Sequence, residues 1–256
     1  MAAHAGVVSV LYYARSPRGW LPQETSGKRY AMKQGCKVMD SDMHIIEPPD
    51  LWQRYIEPEF KDQAPRGTTH SVADLGMVGP DGTLWGRNPK NVQHLGQNRR
   101  RGDNFARNQA RFKPYEDMGW TGDTQLRAMD EEGIDVAVIY PSRGLFALTV
   151  PDLDPHLAAA LARAYNNWLY DFCAPDRQRL IGAGMISPFA IEDAVTESQR
   201  CVKELGFRGV FLRPNLVNGR TWHDPYYEPL WATLEALGVP IGFHEGDTSA
   251  LPHVGE

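Results

Sequence analysis

Asp42 and His44 stand one residue apart in the stretch Lys37 to Trp52, KVMDSDMHIIEPPDLW. Extended backbone sends alternate side chains to opposite faces. Asp40, Asp42 and His44 are therefore predicted to share one face, with Met39, Ser41, Met43 and Ile45 on the other. A carboxylate oxygen and an imidazole nitrogen at that spacing reach a single metal ion. Pro48 and Pro49 then break the strand, so the polar row sits where a strand runs into a site. The same residues also fit a blander account, in which Asp42 caps a turn and His44 is a hydrogen-bonded core histidine.

The elements that would position them follow from Thr121 onward. A helix through Gln125 to Glu132, stopped by Gly133, leads into DVAVIYPS at 135–142, an apolar run of the kind covered on both faces. Asp154 and Pro155 form a cap and first-turn pair ahead of a helical stripe at Leu157, Leu161, Ala164, Trp168 and Phe172. LIGAGMIS at 180–187 is the next strand, and Ile191, Val195, Val202 and Leu205 mark the next helix, ended by Gly206. GVFLRPN at 209–215 is a strand. Leu230, Trp231, Leu234 and Leu237 mark a helix before Gly238, and VPIGFH at 239–244 is the final strand.

Strands alternating with helices imply βαβ units and a parallel sheet, with every strand ending at one edge. The residues at that edge are Asp42, His44 and Glu47, then Ser142 and Arg143, Ser187, Arg213 and Asn215, and finally His244, Glu245 and Asp247. Barrels and open α/β sheets both place ligands there. His244 closes its apolar strand as His44 does, and can face the same centre. His223 precedes a helix start, with Asp224 to cap and Pro225 to open it, and reads as structural.

Two segments stand apart from this repeat. Residues 1–36 form a loose extension with no basic stretch ahead of their apolar run, and Met32 is an alternative start just before the first strand. Residues 53–122 are too long for an ordinary connection and predict a lid, subdomain or interface arm. Within the arm, Arg99, Arg100, Arg101, Arg107, Arg111 and Lys113 outnumber Asp103. They read as a solvated or subunit-facing surface, or else as a basic wall that attracts a carboxylate.

The chain has 256 residues, 42% of them hydrophobic, enough for a sizeable core. A formal charge of −5 argues against nucleic acid and for small-molecule chemistry. The three cysteines, Cys36, Cys173 and Cys201, are odd in number and widely spaced. A disulfide framework or thiolate zinc site is not expected, and a reducing, cytoplasmic setting is. Apolar runs fall short of the roughly 18 residues of a membrane span. An open sheet binding a nucleotide is disfavoured, because the turn HIIEPP offers no glycine to let a phosphate approach.

Four stretches in colinear order carry a resemblance: MDSDMHIIEPPDLW at 39–52, MDEEGIDVAVIYPS at 129–142, RPNLVNGRTWHDPYYEPLW at 213–231 and GFHEG at 242–246. From about Lys37 to its end the chain resembles the amidohydrolase superfamily. The likeness is to the amidohydrolase-related branch, which holds the aminocarboxymuconate-semialdehyde and resorcylate-type decarboxylases. The resemblance implies a TIM-type (β/α) barrel with a divalent ion, zinc or manganese, at the carboxyl ends of the strands. The family's first-strand ligand pair falls on Asp42 and His44, and its fifth-strand histidine on His244. Aspartate in place of a first histidine is a departure that shifts preference toward harder ions such as manganese. Arg213 and Asn215 are candidate substrate contacts by strand-end position, and Glu47 is either a partner that orients His44 or a turn residue.

The family's later histidine, and the aspartate that handles the proton, would both lie past residue 256. Outside the 53–122 arm, the domain 37–256 suffices for five βα units at about 30 residues each, against eight for a closed barrel. The expectation is a barrel truncated to five units, whose bare edges favour association as a homo-oligomer. The function implied is metal-dependent decarboxylation, or hydrolysis, of a small carboxylate or aromatic substrate. The alternative is a catalytically inactive fragment acting as a binding or assembly protein.

Overall fold

The computed structural model describes residues 36–67, 76–85, 110, 112–150 and 152–244. The extension at residues 1–35, the arginines at 99–101 and 107, the side chain of Arg111, and Glu245 and Asp247 lie outside the described residues.

Five parallel strands carry the chain: β1 (Met39–His44), β5 (Val136–Tyr140), β6 (Leu180–Met185), β7 (Gly209–Leu212) and β8 (Ile241–Phe243), hydrogen-bonded in that order. Helices α2 (Gly122–Glu132), α3 (Pro155–Phe172), α4 (Ile191–Lys203) and α5 (Glu228–Leu237) make the crossovers. Local chemistry sets their ends. Asp154 accepts the Leu157 N–H at the start of α3, with Pro155 in the first turn. Gly133 and Gly238 close α2 and α5 in the left-handed region at φ 75° and 65°, which costs glycine least. Asp224 caps a short 3₁₀ turn that leads into α5, and His223 bonds Thr221.

The sheet is strongly curled. Neighbouring strands lie about 4.8 Å apart, so β1 and β8, four intervals apart, would be roughly 19 Å apart if the sheet were flat. Yet the His44 and His244 Nε2 atoms at their ends are 2.9 Å apart. This is the arc of an incomplete α/β barrel, with the strand ends gathered around one centre.

Helix α3 packs its alanine-rich surface against β6 and α4, and against a short helix α1 (Leu51–Tyr55) that follows the first strand. Ala158, Ala160, Ala162 and Ala164 are fully buried. Trp52 is likewise buried, and its indole N–H donates to the Leu161 carbonyl, fixing the segment after β1 to α3. Within the 53–122 segment, the described parts include a 3₁₀ turn at Pro58–Gln63 and a small antiparallel sheet of β2 (Arg66–Gly67), β3 (Met77–Val78) and β4 (Leu84–Trp85). Lys113 there pairs with Asp117.

The strict alternation predicted for the first strand does not hold. The alternation of β1 is interrupted, because its register against β5 slips by one residue between Asp40 and Met43. A bulge of this kind re-aims the residues beyond it. The Asp40 carboxylate turns back to accept the Asp42 N–H at 2.9 Å and is no part of the cluster that Asp42 and His44 form.

Candidate metal centre

Asp42, His44 and His244 each offer one donor atom, and the three atoms lie within 4.8 Å of one another. Asp42 Oδ1 is 2.6 Å from His244 Nε2 and 3.6 Å from His44 Nε2, and the two Nε2 atoms are 2.9 Å apart. Two donors on one ion, each about 2.1 Å from it, stand about 3.0–3.5 Å apart, and these three separations bracket that spacing. Two imidazole nitrogens and a carboxylate oxygen thus fit a divalent ion in type and distance. The Asp42 side chain is 53% exposed and that of His244 18%, so the cluster opens to solvent on the Asp42 side.

The His44 ring is held from behind, and the backbone of His244 is fixed by strand pairing. His44 Nδ1 is 2.7 Å from the Pro141 carbonyl oxygen, so that nitrogen carries the proton and donates, leaving the Nε2 lone pair toward the cluster. The N–H of His244 donates to the Leu212 carbonyl, extending the β7–β8 pairing by one residue. The ring of Tyr140 lies 5.0 Å from that of His244 and 5.9 Å from that of Phe211, filling the interior of the arc beneath the cluster. A Cβ on Gly242 would come 2.4 Å from the Tyr140 hydroxyl, so the absent side chain at 242 is what admits the phenol. Burial and, secondarily, the Asp42 carboxylate push the Tyr140 hydroxyl pKa up.

Glu47 is fully buried, and its carboxylate faces the loop after β5. Oε1 accepts the N–H groups of Ser142 at 3.0 Å and Gly144 at 2.8 Å, and Oε2 accepts that of Arg143 at 2.9 Å. Arg143 Nη1 donates in return to the Glu47 carbonyl at 2.6 Å. The contact to His44 expected of a direct partner is made by Pro141 instead. Burial pushes the Glu47 carboxyl pKa up, while the N–H groups of Gly144 and Arg143 and the Arg143 guanidinium pull it down.

Arg213 and Asn215 lie just past β7 at the same edge, both buried. Arg213 donates to the Leu145 carbonyl and to Asn215 Oδ1, and Asn215 Nδ2 to the Leu216 carbonyl. Both line a small cleft with Gly144, Met185, Phe211 and Trp222. Neither belongs to the three-donor cluster. Tyr140 and Pro141 were not singled out from the sequence. The signal available was a phenol and a proline ending an otherwise aliphatic run, VAVIYP.

A curled parallel βα sheet whose strand ends converge on two imidazoles and a carboxylate defines a barrel-type protein with a candidate metal centre. The chain belongs to the Amidohydrolase family, whose model matches residues 39–256. It is similar to a gamma-resorcylate decarboxylase of Rhizobium sp. (strain MTP-10005), 34% identical over 129 residues, which is 48% of this chain and 38% of that protein. It is also similar to the 2-amino-3-carboxymuconate-6-semialdehyde decarboxylase of Dictyostelium discoideum, 26% identical over 133 residues, covering 52% and 36%. The chain thus matches less than two-fifths of the length of either relative. Among solved structures, the 5-carboxyvanillate decarboxylase of Novosphingobium aromaticivorans, complexed with manganese and 4-hydroxy-3-methoxy-5-nitrobenzoic acid, shares the fold. Its TM-score is 0.53 at 18% identity, over 84% of this chain and 52% of that one.

Proposed function

We propose that this chain serves metal-dependent, non-oxidative decarboxylation of a small aromatic carboxylate, with Asp42, His44 and His244 as the metal ligands. The observation that carries the proposal is the convergence of these three donor atoms at the carboxyl ends of β1 and β8, in a family whose relatives include decarboxylases. A divalent ion held there supplies a Lewis acid that grips substrate oxygens. The carboxylate in the donor set favours manganese, with zinc the other candidate, and manganese is the ion in the Novosphingobium enzyme.

Asp42, His44 and His244 hold and orient the ion, and Pro141 fixes the protonation of His44. Tyr140 packs its ring between those of His244 and Phe211 beneath the cluster. Arg213, beside Asn215, offers a cation for the substrate carboxylate. The three thiols, one exposed and two buried, suit a reducing cytoplasm. Among the described residues no helix is long and apolar enough to cross a membrane.

The test is carbon dioxide release from γ-resorcylate by the manganese-loaded chain, beside an Asp42→Ala, His44→Ala double variant. Release that depends on manganese and disappears in the variant is expected. A folded, manganese-loaded chain that releases none from γ-resorcylate or other hydroxybenzoates would overturn the decarboxylase reading and favour a binding or assembly role.

A further inference from the structure

We infer that Glu47 is a positioning residue for the metal centre: through the loop Ser142–Gly144 it fixes the Pro141 carbonyl that sets the proton of His44. The inference rests on the reading of His44 as a ligand. Its evidence is a continuous set of contacts between two short segments almost a hundred residues apart. The Ile45 N–H donates to the Tyr140 carbonyl at 3.2 Å, extending the β1–β5 ladder by one bond. His44 Nδ1 donates to the next carbonyl, that of Pro141. Beyond Pro141 the ladder ends, and the Glu47 carboxylate takes over by accepting the next three N–H groups in succession. Residues 140–144 are therefore each tied to 44–47, and the Pro141 carbonyl is pinned from both sides.

Three features show that the carboxylate is built into this loop. Proline at 141 has no N–H, so nothing at that residue competes with the bonds on either side. A Cβ on Gly144 would lie 2.8 Å from the Pro141 Cβ and 3.0 Å from Glu47 Oε1, so a glycine is needed for the loop to close over the acid. The Arg143 side chain bonds the Glu47 carbonyl and ties the donor loop to the acceptor's own backbone. Two carboxylate oxygens can accept three converging N–H groups, whereas an amide presents one acceptor and an opposing NH₂. Glu47→Gln keeps the volume and turns one side of the contact repulsive.

The consequence for His44 is a choice of tautomer. While the Pro141 carbonyl stays in place, the proton is held on Nδ1 and Nε2 keeps the lone pair a metal needs. Release of the loop frees the ring to protonate Nε2 instead.

The test is long-range ¹H–¹⁵N NMR on the metal-free, ¹⁵N-histidine-labelled full chain at alkaline pH, where imidazoles are neutral, alongside manganese titration. His44 in the unaltered chain is expected as the Nδ1–H tautomer. In Glu47→Gln a substantial Nε2–H population should appear, with manganese affinity lower by about 10-fold or more, the usual effect of losing an outer partner of a ligand. Gly144→Ala, which leaves the carboxylate in place, should shift the tautomer in the same direction. An Nε2–H tautomer in the unaltered chain would overturn the inference. So would a folded Glu47→Gln protein with lower thermal stability but an unchanged tautomer and a manganese Kd within about twofold of the original. Because the tautomer is read without metal, an Nδ1–H His44 in a chain that binds no manganese would count against the proposed function and not against this role of Glu47.

Discussion

His44 and His244 lie 200 positions apart in the chain, and their Nε2 atoms stand 2.9 Å from each other with the rings edge to face. That contact exists because the sheet between them curls. It makes the cluster a property of the whole five-stranded sheet, since β1, β5, β6, β7 and β8 must pair in that order for the two rings to meet.

Inside the curled sheet the phenol of Tyr140 fits over Gly242. Gly242→Ala places a methyl 2.4 Å from the phenol oxygen, and should lower stability by about 1–3 kcal/mol, as overpacking does. Tyr140→Phe removes the atom that clashes and should recover much of this. Urea denaturation of both single variants and the double gives the coupling. Additive losses would show that the two residues do not share the space.

Asn166, buried on α3, clamps the end of β6. Its Oδ1 accepts the Met185 N–H at 2.7 Å and its Nδ2 donates to the Met185 carbonyl at 2.9 Å, while Glu197 and Arg200 on α4 complete the network. Asn166→Ala leaves both Met185 groups short of a partner in the core and should cost about 2–4 kcal/mol. The chemical denaturation midpoint measures it, with a change below about 1 kcal/mol contradicting the clamp.

Burial pushes the Cys173 thiol from an ordinary 9.0 up to about 12, and the Tyr227 hydroxyl from 10.0 to about 12. The unfolded chain loses these protons first, so as pH rises above 9 it binds fewer protons than the native state and folding stability falls. The contribution of Cys173 is whole below pH 9 and is lost as pH approaches 12. Denaturation midpoints measured from pH 8 upward should decline, and more gently in Cys173→Ala. At neutral pH a thiol reagent should label Cys36, which is exposed, and spare the buried Cys173 and Cys201. Rapid labelling of all three in the folded chain would contradict this.

Much of the scaffold was legible because its signals are local. Gly133, Gly238 and the Asp154 and Pro155 pair mark helix ends through their own backbone chemistry. The apolar runs at 136–140, 180–185 and 209–212 mark strands covered on both faces. Once those elements alternate, a parallel sheet brings the strand ends together, which is why Asp42, His44 and His244 could be read as one site. What was not legible depends on distant partners. The bulge in β1 is a mismatch with β5 and has no mark in MDSDMH itself. The partners of Glu47 lie 95 to 97 residues away, and that of His44 Nδ1 97 away. A carboxylate three residues past a histidine gives no hint that it works through a separate loop.

The most direct test of the metal centre is metal content and manganese affinity of the purified chain, measured by plasma mass spectrometry and titration beside the Asp42→Ala, His44→Ala double variant. Near-stoichiometric manganese or zinc in the unaltered chain, lost in a variant that remains folded, is the predicted result. Folded protein that takes up neither ion, or a double variant that retains it, would contradict the assignment of Asp42, His44 and His244 as ligands.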